Sequence, residues 1–285
     1  MNPTLPVDSS VSALRCVLLQ LDATPGSAAR LAFARRVALR HDAALCAMFV
    51  GSWSEASTQW PASESDAALL QQMERGDIDR TASLFDDALA EGVHPVRWLS
   101  TGADPVGAFC QQALYVDLLV LGQHDSSPSS SATVPANFVE LVVMASGKPA
   151  LILPLSGDFS VPDRDVLIGW NATPQAARAV TAALPWLRIA RRVHVLEAVG
   201  EAAPQHAGDL DIVHYLYLHG IESTLHRDHA APTDAGEVLL SFASAVGADL
   251  LVMGCYGHHR ARELVLGGAS RTVLRSMTLP VLMAH

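Results

Sequence analysis

Arg15 to Pro25 reads RCVLLQLDATP, and Arg164 to Pro174 reads RDVLIGWNATP. Each is a nearly continuous apolar run that ends on Asp or Asn and then on Ala-Thr-Pro. Such self-similarity is weighed before any other fold signal, because a missed repeat misassigns the whole chain. The later segments repeat as well. Asp117 to Gly122 is DLLVLG and Asp249 to Gly254 is DLLVMG, each followed by a Pro-led apolar run, PALILP from Pro149 and PVLMAH from Pro280. Two homologous halves of roughly 130 to 150 residues follow, the size of ordinary single domains. The junction falls in LSGDFSVPDR, Leu155 to Arg164, where Ser, Gly, Pro and charge replace the apolar pattern. This predicts one domain over 1–157 and another over 158–285.

Within each half short apolar runs alternate with longer amphipathic ones. Cys16 to Leu21, Leu45 to Val50, Leu118 to Leu121 and Ala150 to Leu153 are almost unbroken in Val, Leu and Ile, as parallel strands covered on both faces should be. Ser27 to Arg40, Ala67 to Ala90, Ala176 to Leu187 and Gly236 to Val246 space their apolar residues as helices do. Thr24-Pro25 and Thr173-Pro174 supply N-cap and N1 signals. The alternation predicts α/β architecture, two tandem doubly wound parallel-sheet domains. Sheets of that kind take ligands beyond the carboxyl ends of their strands, where the strand order reverses.

The composition narrows the function. Half of the 285 residues are hydrophobic, ample for buried cores, and the net charge of -10 excludes broad binding to nucleic acid or an anionic membrane surface. The start, MNPTLPVDSS, lacks a basic segment followed by an apolar core, and no apolar run is long enough to span a bilayer. The expectation is a cytoplasmic, soluble protein. Cys16, Cys46, Cys110 and Cys255 show no paired spacing, which indicates neither a disulfide framework nor a zinc site. The sole lysine, Lys148, sits in SGKPA, so there is no P-loop.

The chemistry concentrates after the fourth strand of the second half, in GCYGHHRARELVLGGASRTVL, Gly254 to Leu274. Glycines let a backbone approach a ligand, and the amides opening the next helix, from Gly268 through Ser270 and Arg271, are oriented toward an anion. Arg260, Arg262, Arg271 and Arg275, with His258 and His259, stand here against the single acid Glu263. Two readings stand: a phosphate site, or glycines that make turns and arginines that solvate a helix face.

This segment resembles the universal stress protein family, whose ATP-binding members carry Gly-x2-Gly-x9-Gly and then hydroxyl residues after the fourth strand of a fold like the one predicted. Gly254, Gly257 and Gly267 match that spacing. The resemblance extends along nearly the whole chain and implies an adenine nucleotide alpha hydrolase-like fold, a role in stress response, and ATP as ligand, with Mg²⁺ arriving only alongside the nucleotide. It assigns the nucleotide to Asn171, Gly254, Gly257, Arg260, Gly267, Gly268, Ser270 and Arg271. Two positions depart from the family pattern: Gly268 replaces a hydroxyl residue, and Asn171 replaces the acid that approaches the adenine and ribose. The resemblance also implies association through the last strand, as an internal pseudo-dimer of PVLMAH with PALILP or as a homodimer.

In the first half the losses are reversed. Asp22 keeps the acid, but the loop GQHDSSPSSSATVPANF from Gly122 lacks the second and third glycines and adds Asp125, while Pro128 and Pro135 remove amide donors. This half reads as a degenerate copy, in which Asp22 caps the helix starting near Pro25 or keeps a ligand role. His214 with His219 and His226 with His229 lack the spacing that places two imidazoles on one ligand, so no protein-held metal is predicted. GxSxG is absent and Ser270 has no identifiable base. Any turnover is slow ATP hydrolysis aided by amides and by Arg260 or Arg271. Two functions remain open at this level: a nucleotide-binding stress protein acting by conformation or association with a protein partner, and a nucleotide-free scaffold.

Overall fold

The computed structural model describes residues 14–51, 72, 75–76, 78–83, 97–100, 104–125, 134–157, 159, 164–198, 210–228, 235–255 and 268–285. The first half supplies β1 (Cys16–Leu21), α1 (Gly26–His41), β2 (Ala44–Phe49), β3 (Arg97–Ser100), α2 (Pro105–Ala113), β4 (Leu118–Gly122), α3 (Phe138–Ser146) and β5 (Ala150–Leu153). The second supplies β6 (Asp165–Trp170), α4 (Pro174–Leu187), β7 (Arg192–Ala198), α5 (Ile212–Leu218), β8 (Ser223–Asp228), α6 (Ala235–Val246), β9 (Leu250–Gly254), α7 (Gly268–Ser276) and β10 (Val281–Ala284). Of the helix expected over 67–90, residues 78–83 are helical, and most of the remainder lies outside the described residues.

All ten strands form one sheet in the order β3-β2-β1-β4-β5-β10-β9-β6-β7-β8. Every neighbouring pair is parallel except β5 and β10. Those two meet antiparallel, with Val281 opposite Ile152, Leu282 opposite Leu151 and Met283 opposite Ala150, so PVLMAH pairs with PALILP inside one chain. All six side chains are fully buried. The seam is therefore as dry as the strands on either side of it.

The unbroken apolar strands are explained by two covered faces. One face packs under α1, α4 and α5 through Phe33, Val37, Val180, Trp186 and Leu216. The other packs under α2, α3, α6 and α7 through Phe109, Phe138, Leu239 and Val273. The acid that opens each DLLV run has one local job in both halves. Asp117 Oδ2 accepts from the Arg15 and Cys16 amides at 2.7 and 2.9 Å, and Asp249 Oδ2 accepts from the Arg164 amide at 3.0 Å. Each ties the start of the fourth strand to the start of the first.

The sheet order reverses between β1 and β4 and again between β6 and β9. These are the two crevices where an open α/β sheet accepts ligands. Asp22 and Gly122 stand at the first, Asn171 and Gly254 at the second.

Candidate functional site

At the second crevice the chain leaves β6 through Asn171 and Ala172, and Ala172 adopts the left-handed φ of 51°. Thr173 caps α4 as its spacing predicts: its Oγ1 accepts from the Ala176 amide at 3.2 Å and donates to Asn171 Oδ1 at 2.7 Å. That leaves the Asn171 amide nitrogen as the donor still available on an exposed side chain. Gly254 closes β9 directly against this turn. A Cβ there would overlap the Ala176 amide nitrogen and lie 2.6 Å from the Gln175 carbonyl carbon. Gly254 thus brings the end of β9 and the first turn of α4 together.

Helix α7 opens at Gly268. Because β9 and β10 are parallel neighbours, the helix connecting them starts at the carboxyl edge of the sheet, the edge at which Asn171 leaves β6. Its first turn carries no acid, so its free amides and its dipole present positive potential there. Gly268 is exposed, with no heavy atom of a described residue within 4 Å of the position a Cβ would take. Ser270 is only 4% exposed and makes no side-chain hydrogen bond to a described residue. Arg271 is exposed on the same turn. Gly257, Arg260 and Gly267 lie outside the described residues.

The first crevice has been filled from within. Arg30, on the second turn of α1, runs inward rather than out to solvent, and its side chain is 7% exposed. Its Nη2 donates to Asp22 Oδ2 at 2.6 Å and to Ser27 Oγ at 2.9 Å, and its Nε donates to the Gln20 carbonyl at 3.1 Å. Asp22 is fully engaged, accepting further from Gln20 Nε2 at 3.0 Å, the Thr24 amide at 3.0 Å, Ser27 Oγ at 2.9 Å and the Thr24 hydroxyl. A Cβ on Gly122 would overlap the Arg30 guanidinium. The space left beside it, about 40 Å³, is of a size for water and falls far short of a nucleotide pocket.

This arrangement corrects the cap reading of Asp22. The α1 N-cap is Pro25, with no side-chain hydrogen bond, and the Asp22 carboxylate neutralises a buried guanidinium instead. Aligning DATP on NATP places Arg30 on Ala179, Ser27 on Ala176 and Gln20 on Gly169. None of the filling groups recurs in the second half.

Sequence reasoning also missed His194. Its Nδ1 lies 3.1 Å from His226 Nε2 across β7 and β8, with the His226 ring 4.8 Å from that of Phe242. His194 Nε2 is buried with no hydrogen-bond partner among the described residues. Burial first, then His226 and Arg192, push the His194 pKa below its ordinary value, with Asp165 opposing. A histidine whose pKa falls on folding contributes stability above its unfolded value, about 6.5, and loses it as pH drops. We expect the melting temperature to fall between pH 7.5 and 5.5, and His194→Leu to flatten that slope in thermal melts. An unchanged slope would assign the acid sensitivity to other groups. Among the described residues no three His, Cys, Asp or Glu side chains are grouped to hold a metal ion, and no helix is long and apolar enough to cross a membrane.

Sheet order and the two order reversals together define a tandem α/β protein with a doubly wound sheet in each half. Residues 164–285 match the model of the Universal stress protein family. No curated protein matches the sequence. Among solved structures the chain is similar to a universal stress protein from Archaeoglobus fulgidus DSM 4304, at TM-score 0.66 and 17% identity over 94% of this chain and 97% of that one. It is also similar to a functionally unknown protein from Pseudomonas aeruginosa PAO1, at 0.60 and 14% over 96% and 93%. A putative universal stress protein from Pseudomonas aeruginosa UCBPP-PA14 matches at 0.58 and 13% over 96% and 94%. These likenesses carry the fold of the whole chain, both halves included.

Proposed function

We propose that the chain is a cytoplasmic stress-response protein that binds one adenine nucleotide, ATP, at the second crevice and acts by conformation or association rather than by turnover. The boundary between its two domains is placed at 157 and 158. The observation that carries the reading is the opening of α7 at the carboxyl edge of the sheet, with no acid in its first turn, a buried Ser270 whose hydroxyl has no partner among the described residues, and exposed Arg271. Amides, hydroxyl and guanidinium supply the donors a phosphate needs. Asn171 would meet the ribose end through its free amide. Gly257, Arg260 and Gly267 join on the sequence pattern, and Mg²⁺ would arrive bound to the phosphates.

One ATP per chain is expected, because Arg30 closes the first crevice. The two departures from the family pattern give a gain-of-function test. A Cβ at Gly268 meets no atom of a described residue within 4 Å, which leaves room for Gly268→Ser, and Asn171→Asp keeps an oxygen for the Thr173 hydroxyl to reach. The double variant should bind ATP about tenfold more tightly than the natural chain by calorimetry, a gain of about 1.4 kcal/mol. Absence of binding in both forms would favour the ligand-free scaffold, a reading supported by the filled first crevice and the intrachain β5–β10 seam.

A further inference from the structure

Gln123 follows Gly122 at the filled crevice, yet its side chain serves the other half of the molecule. Its Nε2 donates to the carbonyls of Leu274 and Arg275 at 2.8 and 3.1 Å, while its Oε1 accepts from the Leu155 amide at 3.0 Å and its own amide donates to Leu153 at 2.8 Å. Leu274 and Arg275 are in the last turn of α7, whose first turn is the candidate phosphate site. The carbonyls at that end have no partners within the helix, and Gln123 supplies two N–H contacts to them. A nine-residue helix is about 13 Å long. Its far end is thus held by the first half while its near end faces the ligand.

The connection continues inward without a break. The Gly122 amide donates to Gln20 Oε1 at 3.0 Å, and Gln20 Nε2 donates to Asp22, which holds Arg30. A buried guanidinium therefore stands where a ligand of the first half would stand, and it fixes the loop from which Gln123 reaches α7.

We propose that Arg30 is a permanent surrogate ligand, and that the first half has exchanged ligand binding for positioning the phosphate helix of the second half through Gln123. Gln123 is a positioning residue: it touches no nucleotide and acts through the axial placement of α7. The arrangement is one-sided. At the position matching Gln123 stands Cys255, whose thiol and amide both donate to Ala284 within its own half.

The proposal rests on ATP binding at the second crevice, and the test separates the two. ATP affinity is measured by calorimetry on the full chain and on Gln123→Ala, Gln123→Lys and Gln123→Glu, with amide hydrogen exchange followed over 268–277. Alanine should weaken ATP binding about tenfold, a typical coupling between sites, and speed exchange across α7. Lysine, which still donates to helix-terminal carbonyls, should restore most of the affinity. Glutamate, an acid at the negative helix end, should bind worst. If the natural chain binds ATP and alanine binds it equally well, the positioning role is wrong and the site stands. If the natural chain does not bind ATP, the site reading fails, and exchange alone decides the clamp: faster exchange in alanine supports it, unchanged exchange overturns it.

Discussion

Replacing Arg30 by Met should destabilise the protein by about 3–5 kcal/mol, the cost of leaving one member of a buried ion pair without its partner. The arginine is within 2.6 Å of Asp22, and both side chains are almost wholly excluded from water. Methionine fills much of the same volume, so the loss is chiefly electrostatic. Asp22 would keep its hydroxyl and amide donors, but not the positive charge that offsets its desolvation. Asp22→Asn alone should also destabilise, because it strands the guanidinium. The double variant should recover most of the loss, since a buried pair removed as a unit costs little. Urea denaturation of the four proteins completes the cycle. Additive effects, or a loss below about 1 kcal/mol in Arg30→Met, would show that the pair does not hold the crevice.

Arg30 also marks where the sequence stops being readable. The strands could be read because burial on both faces leaves them almost wholly apolar, with Gln20 the one polar side chain in Cys16–Leu21 and none in Leu250–Gly254. The repeat could be read because both halves solve one packing problem, down to the acids Asp117 and Asp249. Thr173 announced its helix because capping is local. Arg30 gave no such signal. Among Arg35, Arg36 and Arg40 on α1 it looks like part of a solvated helix face, and its inward turn depends on Asp22, eight positions away in sequence, and on Gly122, ninety-two away. Position-by-position alignment of the halves would have raised the question, since Ala179 occupies the same place. Gln123 is harder still, because its partners Leu274 and Arg275 offer only backbone carbonyls, which no side-chain pattern encodes. His194 and His226 meet through strand register alone. At the candidate site itself Asn171, Gly254, Gly268, Ser270 and Arg271 could be placed, whereas Gly257, Arg260 and Gly267 rest on spacing.

Gly254→Ala should also destabilise the protein, less than the loss of Arg30 does, and for a reason the glycine pattern does not contain. A phosphate-loop reading makes Gly254 a residue that clears the way for a ligand. The structure gives it a prior task, because a Cβ would run into the Ala176 amide nitrogen and approach the Gln175 carbonyl carbon at 2.6 Å and the Ala176 Cα at 2.9 Å. All three are backbone atoms of the first turn of α4, which cannot rotate aside as a flexible side chain could. The helix must shift away from β9, and Thr173, which caps it and holds Asn171, must shift with it. We expect a loss of about 1–3 kcal/mol, the usual range for overpacking, together with loss of ATP binding. Gly268→Ala separates the two roles, since its Cβ meets no atom of a described residue and it should leave stability within about 1 kcal/mol of the natural chain, the ordinary helical preference of alanine over glycine. Melting both variants and titrating both with ATP gives opposite patterns if this assignment is right. Equal stability of the two would mean that α4 yields to a methyl group at Gly254, and the first glycine would then belong to the ligand after all.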